Sequence, residues 1–139
     1  MKSCLDSLID LQRQYREKLV ALSQKNGLTL AEWQLLLKIV DGVSTQEKLA
    51  KMTQLNVSTL SRQLSKLLSK EFVVKKSQES QQGRRFFAYT STFRGLDAIA
   101  DMKKDIAQYS KQLFSHWSEE EQNLLQILLN RLSKSMERM

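Results

Sequence analysis

Arginine, lysine and small hydroxyl residues share one predicted helix between positions 57 and 69. Arg62 carries a guanidinium group, which forms paired hydrogen bonds with a phosphate or with the edge of a guanine base. Serine and threonine are short enough to let a helix backbone approach a polyanion closely, and their hydroxyls hydrogen-bond either partner. The candidate contact residues on this helix are Ser58, Thr59, Ser61, Arg62, Ser65 and Lys66. Their pattern favours recognition of a nucleic acid.

Alternatives stay open for several of these side chains. A base contact and a phosphate contact are about equally expected for Arg62, since many protein–DNA hydrogen bonds go to phosphates. Ser58 or Thr59 could instead cap the helix, and Ser65 could simply be solvated.

The positive charge of the chain is concentrated around this helix. Positions 43–94 hold ten basic and three acidic side chains, whereas the remaining residues hold twelve of each. Localised charge of this kind is the electrostatic footprint of a phosphate-binding surface, with a solvated basic face as the alternative. Further candidate contacts in this region are Lys75, Lys76, Arg84, Arg85 and Arg94.

A helix, a turn, a second helix and two strands must position these residues. Ser44–Glu47 resembles a capping box for the first helix of the helix-turn-helix. The turn Thr53–Asn56 then leads into the second helix, which carries the candidate contact residues. That second helix has an apolar stripe formed by Val57, Leu60, Leu64 and Leu67. Two β-rich runs follow, FVVKKSQ and RRFFAYT, joined by the glycine-containing loop ESQQG. This order is that of a winged helix-turn-helix, which points to double-stranded DNA.

Amphipathic helices flank this segment on both sides. Helical spacing of apolar residues predicts a first helix over about Leu5–Leu22, and a capping box at Thr29–Glu32 starts the next one. Another box, Ser118–Glu121, precedes a last helix whose apolar face is broader than a lone surface helix needs. Its apolar residues are Leu124, Leu125, Ile127, Leu128, Leu129, Leu132 and Met136. We therefore expect the first and last helices to form a dimerisation layer.

Length and composition narrow the class of protein. A chain of 139 residues with no proline and four glycines fits one mainly helical domain, residues 1–139. No apolar run approaches the length of a bilayer span, and a single cysteine cannot form an internal disulfide, so we expect a cytoplasmic protein. The sequence has no nucleophile elbow, phosphate-binding loop or HExxH motif, which argues against an enzyme.

The order and spacing of these segments resemble the MarR family of bacterial transcription regulators over nearly the whole chain. The best-matching segments are LTLAEWQLLLKI, LNVSTLSRQLSKLLSKEFVVKK and FFAYTSTFRGLDAI. The resemblance implies a mainly α fold with a small antiparallel β-wing: a winged helix-turn-helix (residues 28–92) flanked by dimerisation helices (residues 1–27 and 93–139). It also implies a homodimer that binds a palindromic operator, with half-sites about 34–36 Å apart. We expect a repressor that a small ligand or oxidation releases.

Two positions depart from the family pattern. The family usually has glycine after the recognition helix, where the backbone turns with positive φ, and this chain has Glu71. In the wing the family favours an aspartate beside one or two arginines, whereas here Gln81–Gly83 precedes Arg84 and Arg85. We therefore expect a differently shaped junction at Glu71 and displaced arginines in the wing.

The resemblance also suggests where a signal could be sensed. Relatives bind small aromatic acids between the dimerisation helices and the DNA-binding lobe, and one branch senses peroxides through a lone cysteine in the first helix. The matching residues here are Cys4 for oxidation and, for an aromatic ligand, Tyr15, Trp33, Phe93 and Tyr109. An incidental thiol and ordinary core aromatics are the alternatives. His116 stands alone, so we predict neither a metal site nor a cofactor.

Two functions are compatible with the sequence. The first is a sequence-specific regulator that binds double-stranded DNA. The alternative is a winged-helix dimer that acts as a protein-interaction module on another regulator or on polymerase. The serine-rich recognition helix keeps this alternative open.

Overall fold

The computed structural model describes residues 1–139, which form six helices and one two-stranded sheet. The helices are α1 (Cys4–Lys25), α2 (Leu30–Val40), α3 (Gln46–Thr53), α4 (Val57–Ser69), α5 (Phe93–Leu113) and α6 (Glu119–Glu137). The antiparallel strands are β1 (Val73–Glu79) and β2 (Arg85–Ser91). The predicted mainly helical fold with a small antiparallel wing is therefore confirmed. The chain forms two compact units, residues 1–104 and residues 105–139.

Capping boxes set the first residues of two helices. Thr29 and Glu32 form the predicted box at α2, in which each side chain accepts a hydrogen bond from the other residue's backbone N–H. Ser118 and Glu121 form the same arrangement at α6. The backbone hydrogen bond from Ser118, together with its hydroxyl, lowers the pKa of the Glu121 carboxyl below its ordinary value. Each box satisfies two N–H groups that a helix start otherwise leaves unpaired.

The capping box predicted at Ser44 is wrong. Thr45 caps α3 instead, because its hydroxyl accepts a hydrogen bond from the Lys48 N–H at 3.2 Å. The Ser44 carbonyl accepts the Tyr89 N–H at 2.8 Å, and Thr45 forms a β-bridge with Ala88. This extended segment beside β2 delays the start of α3 by one residue.

The core of residues 1–104 lies among α2, α4 and the hairpin. On α4, Leu60, Leu64 and Leu67 are fully buried on one face. The predicted continuation of this stripe at Val57 is wrong, since Val57 is 69% exposed. Its neighbour Ser58 is also exposed, so the first two residues of α4 lie outside the core. Each buried leucine contributes roughly 1.5–3 kcal/mol relative to an exposed one, and these contacts hold α4 from Leu60 to Leu67.

Helix α4 ends in a hydrogen-bonded C-terminal motif. The Glu71 N–H donates to the Leu68 carbonyl and the Phe72 N–H donates to the Leu67 carbonyl, both at 3.0 Å. This is the Schellman pattern, in which the residue after the cap takes a left-handed backbone. Glu71 has φ +65°. The chain therefore keeps the turn for which the family uses glycine, and the differently shaped junction expected from the sequence is not found.

Glu71→Gly is expected to raise the free energy of unfolding by about 0.5–1 kcal/mol. A left-handed backbone costs a residue with a Cβ about 1–2 kcal/mol, and this saving exceeds the extra entropy of glycine in the unfolded chain, about 0.5–1 kcal/mol. Urea denaturation of both proteins measures the difference. Glu71→Ala is the control, because alanine keeps the Cβ and should bring no gain. A glycine variant less stable than the parent protein would contradict the prediction.

Candidate nucleic-acid interface

Most of the candidate contact residues of α4 lie on the side of the helix that faces away from the core. The turn Gln54–Asn56 joins α3 to α4, and Gln54 has a left-handed backbone with φ +57°. Four of the predicted residues are exposed, namely Ser58, Arg62, Ser65 and Lys66. Thr59 and Ser61 are partly buried. The structure thus presents one guanidinium, one ammonium and two hydroxyls on this helix.

Hydrogen bonds within the protein occupy part of the hydroxyl set. Asn56 caps α4, with its Oδ1 accepting the Thr59 N–H at 2.8 Å and the Ser58 hydroxyl at 2.9 Å. Neither Ser58 nor Thr59 is the cap. Gln46 donates from its side-chain amide to the Ser61 hydroxyl oxygen at 3.0 Å, which links the first turn of α3 to α4. No sequence pattern predicts this link, because the two residues lie 15 positions apart on different helices.

The wing turn is held by Ser80. Its carbonyl accepts the Gly83 N–H at 3.0 Å, its hydroxyl accepts the Arg84 N–H at 3.1 Å, and its N–H donates to the Arg84 carbonyl at 2.8 Å. Gly83 has φ +77°, as expected at the end of a three-residue hairpin loop. Ser80 therefore braces a loop in which the family favours aspartate. Arg84 and Arg85 follow directly and are exposed.

A groove between the start of α3 and the wing brings four basic side chains together. It has a volume of about 630 Å³, and its basic lining residues are Lys48, Lys51, Arg84 and Arg85. Glu47 also lines the groove and pairs with Lys51 at 3.7 Å, an exposed pair that contributes little to stability. Lys48 and Lys51 were counted in the charge of the region but not predicted as contacts. Their place beside the wing arginines adds them to the candidate interface.

The two lysines of β1 point to opposite faces of the hairpin, because side chains alternate along a strand. Lys75 has its ammonium 4.0 Å from the centre of the Phe87 ring and 6.0 Å from that of Tyr89. Burial raises the pKa of the Tyr89 hydroxyl above its ordinary value. Lys76 is exposed and pairs in register with Ala88. Because Lys75 and Lys76 lie on opposite faces of the hairpin, a single phosphate cannot contact both.

Arg94 lies at the start of α5, with its guanidinium 5.1 Å from the centre of the Phe72 ring. It borders an open groove of about 710 Å³ that Phe93, Val74 and Lys75 also line. A cation over an aromatic face gains about 0.5–1 kcal/mol at an exposed site. Arg94 is therefore held in place and remains open to an anion.

The candidate sensing residues have different surroundings. Trp33 is partly buried against the core of residues 1–104, whereas Tyr15 is 48% exposed and Phe93 is 87% exposed. Tyr109 is partly buried on the part of α5 that belongs to the second unit. Cys4, the first residue of α1, is an exposed free thiol. Of the three candidate aromatic residues in the first unit, Trp33 packs against the core, whereas Tyr15 and Phe93 lie at the surface.

Nowhere in residues 1–139 are three His, Cys, Asp or Glu side chains grouped so that they could hold a metal ion. None of the six helices combines the length and the apolarity that a membrane span requires.

Comparison with known proteins decides the family. No protein-family model matches the chain. The uncharacterised HTH-type transcriptional regulator YxaD of Bacillus subtilis is 33% identical over 103 residues, which are 73% of this chain and 71% of that protein. A crystal structure of MarR is 24% identical, with a TM-score of 0.73 over 99% of this chain and 100% of that chain. The chain belongs to the MarR family of transcriptional regulators.

Other MarR-family structures share the fold of this protein. A mutant of MepR from S. aureus, solved with a bound oligodeoxyribonucleotide, is 18% identical, with a TM-score of 0.69 over 98% of this chain and 99% of that chain. At such identities the likeness shows the fold alone. The relatives are transcriptional regulators rather than enzymes.

Proposed function

We propose that this MarR-family protein is a sequence-specific regulator that binds double-stranded DNA through α4 and the hairpin. One observation carries the proposal: the part of the chain that holds its net positive charge folds into a helix-turn-helix and wing. Its second helix exposes Arg62 and Lys66, and its wing exposes Arg84 and Arg85. An α-helix fits the major groove, where a guanidinium can read guanine, while arginines suit a narrow minor groove. The oligodeoxyribonucleotide bound to MepR supports the same choice of ligand.

We further propose that two copies associate through their terminal helices. Helix α6 has no buried residue, and six of its large apolar side chains are 39–63% exposed. On α1, Leu5, Ile9 and Leu11 are 59–68% exposed. Apolar surface of this extent favours burial against another chain, most simply a second copy related by two-fold symmetry. Residues 1–27 and 93–139 would then supply the dimer contacts, and residues 28–92 would bind DNA.

Two-fold symmetry predicts the form of the operator and the way in which DNA binding is regulated. The recognition helices of a dimer enter successive major grooves about 34–36 Å apart, so the site is palindromic. We propose that the dimer acts in the cytoplasm as a repressor that occupies a promoter. A small aromatic ligand bound near Tyr15, Trp33, Phe93 or Tyr109, or oxidation of Cys4, would release DNA by changing the spacing of the helices.

One observation favours the alternative of a protein-interaction module. Asn56 and Gln46 already engage the hydroxyls of Ser58 and Ser61, which leaves few groups on α4 for base recognition. A module of this kind would bind another regulator or polymerase instead of an operator.

Salt dependence separates the two functions. Each phosphate that the protein neutralises contributes about −0.9 to the slope of log K against log salt on duplex DNA. If Lys66, Arg84 and Arg85 of both subunits each neutralise one phosphate, the slope is about −5. Fluorescence anisotropy with a labelled duplex measures it. A slope near zero would favour the protein partner.

A further inference from the structure

Lys70 connects the C-terminal end of α4 to the turn between α1 and α2. Its ammonium donates to Glu32 Oε1 at 2.6 Å and to the Gly27 carbonyl at 3.2 Å. The Glu32 side chain is 1% exposed and that of Lys70 is 38% exposed. Lys70 is the C-cap residue of α4, and Glu32 lies in the first turn of α2. A part-buried ion pair thus joins the proposed recognition helix to the start of another helix.

The Glu32 carboxylate is buried, and Lys70 is its salt-bridge partner. Its Oε1 also accepts the Thr29 N–H at 3.0 Å, and its Oε2 is buried with no hydrogen-bond partner in the chain. Apolar residues of similar volume often replace a buried ion pair without loss of stability, whereas removing one partner is strongly destabilising. A gain in stability is therefore a weak explanation for the presence of this ion pair. Fixing the orientation of α4 is a stronger one.

Neighbouring contacts anchor the same end of α4. The Phe72 carbonyl accepts the Thr92 N–H at 3.1 Å. Gly95 of α5 lies so close that a Cβ there would be 2.2 Å from the Phe72 carbonyl oxygen. Phe72 itself is buried in the core, and its ring lies next to Gly27. A Cβ added to Gly27 would lie 3.6 Å from the Phe72 ring. The chain after α4 is held by α5 on one side and by the α1–α2 turn on the other.

The opposite end of α4 has no ion pair of this kind: Val57 and Ser58 are exposed, and the polar link to another helix there is the Gln46–Ser61 hydrogen bond to α3. The buried leucines Leu60 and Leu64 hold the helix to the core through apolar contacts, which have no directional preference. The helix has 13 residues and is therefore about 20 Å long, so a tilt of about 5° at Lys70 moves its first turn by about 1.7 Å. Hydrogen bonds to bases do not tolerate such a shift.

We propose that Glu32 and Lys70 are a positioning pair that sets the orientation of α4 on DNA without contacting DNA. This inference rests on the proposed function. It differs from the simpler reading of Lys70 as a phosphate contact, because the Lys70 ammonium is already engaged by Glu32 and Gly27. Loss of the pair should impair selection among sequences and spare general attraction to the backbone.

The test uses two duplexes: one that the full-length protein recovers from a random-sequence pool, and a scrambled duplex of the same length. The main variant is the double substitution Glu32→Gln with Lys70→Met, which leaves no unpaired buried charge and so should fold. Lys70→Met alone serves as the second variant. Binding is measured by anisotropy at several salt concentrations, and unfolding is measured in urea.

We expect the double variant to bind the recovered duplex at least tenfold more weakly, with unchanged affinity for the scrambled duplex and an unchanged salt slope. Equal weakening on both duplexes with a shallower slope would show a phosphate contact and overturn the inference. Parent-like binding by the folded double variant would also overturn it.

Ile39→Val, a truncation in the buried core, is the stability control. If Ile39→Val loses selectivity to the same extent, the effect is one of stability and the inference fails. If the parent protein recovers no sequence, the proposed function fails first, and the inference falls with it.

Discussion

Leu128→Glu is expected to convert the protein from a dimer to a monomer and to lower its affinity for operator DNA at least about a hundredfold. Leu128 lies on α6, is 49% exposed within its own chain, and belongs to the apolar set proposed to meet a second copy. In a two-fold interface the same residue occurs twice, so the substitution inserts two unpaired charges. Each desolvated charge costs several kcal/mol. Linking two binding units raises the overall affinity about 10²–10⁴-fold, and a monomer loses this gain.

Light scattering after gel filtration gives the mass of each variant, and anisotropy gives its affinity for DNA. Gln126→Glu is the matched control, because it adds the same charge to the polar side of the same helix. This control should remain dimeric and bind like the parent protein. If Leu128→Glu stays dimeric, or if the parent protein is itself a monomer, the proposed dimer interface is wrong.

Arg62→Ala is expected to lower the affinity for the preferred duplex roughly 10–100-fold. A bidentate contact with guanine contributes about 1–3 kcal/mol of discrimination, and each 1.4 kcal/mol is about a factor of ten. The variant should also lose its preference at one base position of each half-site. Competition of preferred and scrambled duplexes measures both effects.

Lys66→Ala is the comparison for Arg62→Ala on the same helix. As a phosphate contact, Lys66 should contribute equally on all sequences, so its loss should reduce the salt slope by about 0.9 for each subunit. Uniform weakening by Arg62→Ala would reassign Arg62 to the phosphate backbone. Unchanged binding would mean that α4 is not the recognition helix.

Local patterns made much of the fold readable from the sequence. A capping box needs only residues three positions apart, so Thr29–Glu32 and Ser118–Glu121 were predicted and are confirmed. The periodicity of α4 likewise predicted the buried Leu60 and Leu64. The Ser44 box fulfilled the same pattern and is wrong, because its backbone pairs with β2, which lies far along the chain.

Features that depend on distant residues could not be predicted. No local pattern joins Gln46 to Ser61 or Glu32 to Lys70, whose partners lie 15 and 38 positions apart. Glu71 shows the reverse case. The residue departs from the family pattern, yet the hydrogen bonds after α4 impose the same left-handed turn. Hydrogen bonds at the end of a helix can therefore set the backbone geometry where residue type alone favours another shape.

The sequence predicts the positive charge of this region but not the groove that its basic residues form. Counting side chains located the positive region and included Lys48 and Lys51, but only the packing of α3 beside the wing places them next to Arg84 and Arg85. A charge count carries no information about which helix a hairpin will face.

Selection of binding sites from a pool of random duplexes measures whether α4 and the wing recognise a DNA sequence. The full-length protein is incubated with the pool, bound duplexes are recovered over several rounds, and the enriched sequences are compared. We expect one enriched, two-fold symmetric sequence whose half-site centres are about 10–10.5 base pairs apart, one turn of the double helix. Recovery of no preferred sequence by the folded protein would contradict the claim that α4 and the wing read DNA.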